Sequence, residues 1–165
     1  MSQVSAFAIY GAEHQWSAVL DRGGVVNFHG SHINVPLQKR FADISSVQRY
    51  VDAVLSLESI REVYPKAGPV RVRERRGQGK AHYEPSTATI AIPMEDRLFG
   101  RESTVLHELA HHLSVSAGLP STPSGTRWHG VEFREAMLLL VNGALGEAAA
   151  LLLRAGYHSS GVWRI

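Results

Sequence analysis

With 165 residues and 44% hydrophobic side chains, the chain is the size of one globular domain able to bury its own core. It contains no cysteine, which excludes disulfides, thiolate metal knuckles and cysteine nucleophiles, so a metal would have to be held by imidazole and carboxylate. A formal charge of +2 and a sequence pI of about 9.2 permit contact with an anion without indicating nucleic acid.

The opening residues "MSQVSAFAIYGAEHQW" have no basic n-region, and no apolar run is long enough to span a bilayer. A single cytoplasmic domain over 1–165, with no membrane partner, is the expectation. "GAEHQWSAVLD" reads as a short helix, and "GGVVNFHGSHINVPL" as a strand pair with turn glycines. From Ile44 the apolar residues Val47, Tyr50, Val51, Val54 and Leu55 recur at helical spacing, with Asp43 or Ser45 as N-cap and Pro65 and Gly68 as terminators.

In "PVRVRERRGQGKAHYEPSTATIAIP", Val70 and Val72 alternate with Arg71 and Arg73, and "TATIAI" is a second β-rich run. Together they predict a hairpin, whose basic turn (Arg75, Arg76, Lys80) reads as a solvated loop because no aromatic residues interleave it. A helix is predicted from about Glu102 to Ala117, closed by Gly118 and Pro120. After a loop rich in Ser, Thr, Pro and Gly, a helical stretch starts at His129, breaks at "NGALG" and ends at Gly156.

The stretch "VLHELAHHLS" carries the chemistry. In a helix, His107 and His111 stand about 40° apart and roughly 6 Å along the axis, so both imidazoles can reach one ion. With Val105 at zero, Leu109, Leu113, Leu106, Ala117 and Ala110 fall between about 40° and 140°, and the two histidines near 200° and 240°, away from the apolar stripe. Glu108 is about 100° from His107, too far round to ligate beside the pair but close enough to take a proton from water, which suits a general base. His112 points away from both histidines and is assigned to packing or to support of the ligands.

Catalytic zinc usually takes three protein ligands. "WHGVEFREAM" offers His129 and Glu132 on one helical face, and either could complete the site while the other supports it. His129 is preferred: it is expected in a first helical turn, where the dipole favours the neutral imidazole that a metal needs, with Gly130 allowing close approach and Phe133 packing beneath.

"VLHELAHHL" followed by "HGVEF" resembles the zincin-like metallopeptidases, especially the SprT-like and minigluzincin-type groups with His-Glu-x-x-His and a later His-Gly-x-x-Phe. From about Val35 onward the chain also resembles a family of uncharacterised metallohydrolases of actinobacteria and their phages. The resemblance implies an α+β zincin-like fold, in which a small antiparallel-edged sheet packs on the active-site helix and further helices follow. It implies Zn2+ held by His107, His111 and His129, with Glu108 as catalytic base and Glu132 as alternative ligand. It also implies a peptide or protein substrate paired to an edge strand, for which "TATIAI" is expected. The cysteine zinc ribbon common in SprT-like enzymes that act near DNA has no counterpart here.

An oxyanion stabiliser is not singled out by spacing; Tyr83, Tyr157 and His158 lead a group that includes Arg127 and His112. Trp16 and Trp163 read as core, and Trp128 as core or cleft wall. The competing functions are a zinc-stabilised binding or regulatory protein closed by a fourth ligand, and a zinc hydrolase of non-peptide amides.

Overall fold

The computed structural model describes residues 6–95, 100–119 and 128–162. They form an α+β arrangement of helices around two small sheets. The first helix, α1 (Ala6–Arg22), is longer than the sequence suggested, because Ile9, Ala12, Trp16 and Leu20 sustain a buried stripe along it. Trp16 is fixed in the core by its indole N–H, which donates to the Ala149 carbonyl at 2.9 Å.

The expected strand pair is present: β1 (Gly24–Phe28) pairs antiparallel with β2 (Ser31–Val35). Its two turn residues, His29 and Gly30, have φ of 49° and 83°. Positive φ at both matches the right-handed twist of a hairpin, and the Asn27 carboxamide accepts from the Gly30 N–H at 3.1 Å. The helix predicted from Ile44 divides into α2 (Ile44–Leu55) and α3 (Glu58–Val63). Asp43 is the N-cap, accepting from the Ser46 N–H at 2.7 Å in a reciprocal capping box.

The predicted hairpin between "VRVRE" and "TATIAI" does not form. In the second sheet β3 (Arg71–Glu74) runs parallel to β5 (Thr89–Ile92), and β4 (His82–Glu84) pairs antiparallel with β5 on its other side. The intervening segment supplies a strand of its own, and a single 3-10 turn over Pro85–Thr87, closed by Ala88 at φ 46°, reverses the chain tightly enough to make β4 and β5 the hairpin. β5 is therefore central and buried along its whole length, and cannot be the substrate-pairing edge. The outer edge of β3 is covered by Gln48, whose side chain donates to the Val70 carbonyl at 2.8 Å and accepts from the Val72 N–H at 2.7 Å. That leaves β4, lying against the next helix, as the sheet's other edge.

Helix α4 (Glu102–Ser116) starts beside a short backbone pairing in which the Phe41 N–H meets the Gly100 carbonyl and the Glu102 N–H meets the Lys39 carbonyl, both at 2.9 Å. The fully buried Glu102 carboxylate accepts from the Lys39 backbone at 2.7 Å and from the Tyr50 hydroxyl at 2.6 Å, in a first turn whose dipole favours an anion. α5 (Val131–Leu145) and α6 (Glu147–Ser159) meet at Gly146, the break expected in "NGALG". α4, α5, α6 and α1 pack in succession, joining Leu106, Leu109, Leu113, Met137, Leu140, Leu153 and Ile9 into a continuous core. Among the described residues no helix is long and apolar enough to cross a membrane.

Candidate metal centre

α4 is buried on nearly every side. The leucine stripe faces the core as expected, and the opposite face is also covered, so His107, Glu108 and His111 are almost inaccessible. His129 joins them from the segment just before α5. It stands ahead of the N-cap, Gly130, and not in the helix's first turn, so its placement rests on the close approach of α5 to α4 and not on a position within the helix.

One ligand atom from each of His107, His111 and His129 falls within 4.8 Å of the others, and among the described residues this is the cluster that could hold a metal ion. The Nε2 atoms of His107 and His129 are 3.3 Å apart. Two imidazole nitrogens on one tetrahedral ion, each about 2.0–2.1 Å from it, would be separated by about the same distance. His111 contributes a further sign of fit: its buried Nδ1 has no hydrogen-bond partner among the described residues. The donor set, three imidazoles without a thiolate, suits a borderline divalent cation.

Phe133 packs beneath all three rings, with centroids 4.8 Å from His107, 4.5 Å from His111 and 4.9 Å from His129. Trp128 stacks on His111 at 4.2 Å. Both contacts restrict ring rotation, as the His-Gly-x-x-Phe spacing suggested for Phe133.

The tautomer of His107 is set from α1. The Glu13 carboxylate lies 2.5 Å from His107 Nδ1 and accepts from the Tyr157 hydroxyl at 2.6 Å. A proton held on Nδ1 leaves the lone pair of neutral His107 on Nε2, directed into the cluster. Burial pulls the pKa of His107 down, but the charge and hydrogen bond of Glu13, with the charge of Glu108, outweigh it and leave the pKa above the usual value. A cation would therefore compete with a proton there. Burial, then the charge of His107, depress His129 to about 4, and burial with the charges of His107 and His129 takes His111 well below the usual range, so both are neutral near pH 7.

Glu108 is not a member of the three-histidine cluster. Burial raises its pKa above the ordinary carboxylate value, while His107, His82 and the Tyr83 backbone N–H, which donates to it, hold the rise in check. A raised carboxylate pKa suits a group that must take up and return a proton. Glu108, His107 and Glu13 line a groove of about 530 Å³ whose walls include Phe7, Tyr10, Lys80 and Ala81. A hollow of about 620 Å³ near α3, lined by Leu55, Ile60 and Tyr64, contains none of the histidines.

The other sequence candidates are placed elsewhere. Glu132 is exposed on the first turn of α5 and is not part of the cluster. Tyr83 directs its hydroxyl to His112 Nδ1 at 2.9 Å, and His112 reaches the Gly68 carbonyl at 2.8 Å through Nε2, so this pair ties the sheet and the α3–β3 loop to α4. Tyr157 acts on His107 only through Glu13, and His158 is exposed on α6. Arg127 and Trp163 lie outside the described residues.

Sequence reasoning missed Glu13 and Tyr10. A signal for Glu13 existed: it occupies a core position in the stripe Ile9, Ala12, Trp16 and Leu20, where an acid needs a buried partner. Tyr10 gives no comparable sign, being at the margin of that stripe. Comparison with models of known protein families, with curated proteins and with solved structures finds no match to this chain.

Proposed function

We propose that the chain is a zinc-dependent metallohydrolase of zincin-like build that cleaves peptide bonds. The observation that carries this reading is the division of labour on one helical turn. His107 and His111 converge with His129, while the intervening Glu108 is turned into the same groove with a carboxylate whose proton affinity burial has raised.

His107, His111 and His129 would hold the ion. Zinc, when bound, supplies Lewis acidity that polarises a carbonyl and acidifies water to near neutrality. Glu108 takes a proton from the attacking water and returns it to the leaving amine. The Tyr83 N–H steadies the carboxylate, and Phe133 and Trp128 hold the rings. Ala81, the residue just before β4, lines the groove, so an extended peptide lying there meets the chain at the start of this edge strand.

Elemental analysis of untagged protein is expected to find zinc lost in His129→Ala and retained in Glu132→Ala. Glu108→Gln is expected to keep the metal and lose hydrolysis of a peptide library by about 10²- to 10⁴-fold, whereas His107→Ala loses both. Undiminished cleavage by Glu108→Gln would refute the mechanism. Turnover of small amides with none of peptides would transfer the same residues to a non-peptide substrate.

A further inference from the structure

We infer that Tyr10 donates the hydrogen bond that stabilises the oxyanion formed during hydrolysis, an assignment that rests on the metallohydrolase reading above. The donors suggested by the sequence are otherwise occupied or displaced. The Tyr83 hydroxyl is held by His112 on another face of α4, the Tyr157 hydroxyl donates to Glu13, and His158 does not line the groove.

Tyr10 is placed differently. Its ring stacks on His107 with centroids 5.3 Å apart and an interplanar angle of 22°, and meets the edge of His129 at 5.1 Å. It lines the same groove as Glu108 and is 44% exposed, so a substrate can reach it. Its hydroxyl makes no hydrogen bond with a described residue, which leaves a donor uncommitted beside two of the three proposed ligands. An ordinary phenol, with a pKa of about 10, keeps its proton near neutral pH and can donate it to a developing oxyanion.

The step balances without a further reactant. As Glu108 removes one proton, the water oxygen bonds to the carbonyl carbon, and the π pair moves onto the carbonyl oxygen, which accepts the Tyr10 O–H. When that pair returns, the C–N bond breaks, and the amine leaves with the proton from Glu108. Tyr10 shares its proton in the tetrahedral state and keeps it afterwards.

The test compares zinc-loaded wild type and Tyr10→Phe for binding two probes by calorimetry. One is a phosphinic tetrapeptide, whose tetrahedral P–O⁻ imitates the oxyanion. The other is a peptide hydroxamate, which chelates zinc without presenting that group. Tyr10→Phe keeps the ring stacked on His107, so the expected result is a roughly 100-fold loss of phosphinate affinity with hydroxamate affinity unchanged. Equal retention of both probes overturns the role of Tyr10 and leaves the hydrolase reading standing. Loss of both makes Tyr10 a packing member of the cluster and overturns its role as donor. A zinc-loaded wild type that binds neither probe overturns the hydrolase reading, and the role of Tyr10 falls with it.

Discussion

Glu13 illustrates how a single carboxylate can govern a site it does not enter. It holds the proton of His107 Nδ1 on one oxygen and receives the Tyr157 hydroxyl on the other. Partners of this kind typically contribute about 10- to 100-fold in metal affinity. Glu13→Ala is therefore expected to weaken zinc binding by about that factor, read by competition with a chromophoric chelator, while the melting profile shows that the chain still folds. Unchanged affinity would reduce Glu13 to a packing role. The closeness of His107 and His111 was legible in the sequence because one helical turn contains them both. His129 was legible as a candidate from its motif spacing. That Glu13 and Tyr157, 144 residues apart, would meet behind His107 was not legible, because only tertiary packing brings them together.

At the scale of elements, helices and caps were legible wherever a 3.6-residue apolar period met a local stop signal, as at Asp43 and Gly146. The sheet was misread because strand order is not a local property. "VRVRE" and "TATIAI" each look like half of a hairpin, yet three residues of β4 and the turn at Ala88 change their relation to parallel neighbours. The buried, central β5 has no free edge for pairing, and within the proposed function β4, an edge strand packed against α4, is the strand a peptide would meet. Gly146 offers a test of how firmly α5 and α6 are joined. Its φ of 93° and ψ of 173° lie in a region essentially reserved for glycine, although a Cβ there would meet nothing within 4 Å. Gly146→Ala should therefore cost about 1–3 kcal/mol from backbone strain alone, measured by urea denaturation. A neutral result would mean that the junction relaxes.

For the whole molecule, the decisive contrast is between a metal that catalyses and a metal that holds the fold. The hydrophobic core joins helices and sheet independently of the histidine cluster, and the described residues add no fourth protein ligand to it. Removing zinc with a chelator is expected to lower the melting temperature but preserve a cooperative transition, since ligand at 100 times its dissociation constant adds only about 2.7 kcal/mol. Collapse of the transition would favour the zinc-stabilised binding protein. Individual helices and strands were legible from periodicity, the α+β class was expected from the family resemblance and is what the structure shows, and the enclosure of α4 emerges only from packing.

The hydrogen bond between Glu13 and Tyr157 links helices far apart in translation order. When α1 leaves the ribosome, the side chain that completes the anchor of His107 has yet to be made, and α4 emerges before α5 and α6 have closed over it. A nascent chain that has released only α1 to α4 thus lacks His129 and Tyr157. On the proposed reading, an activity built on this constellation would stay silent until α5 and α6 have docked on α4 and α1.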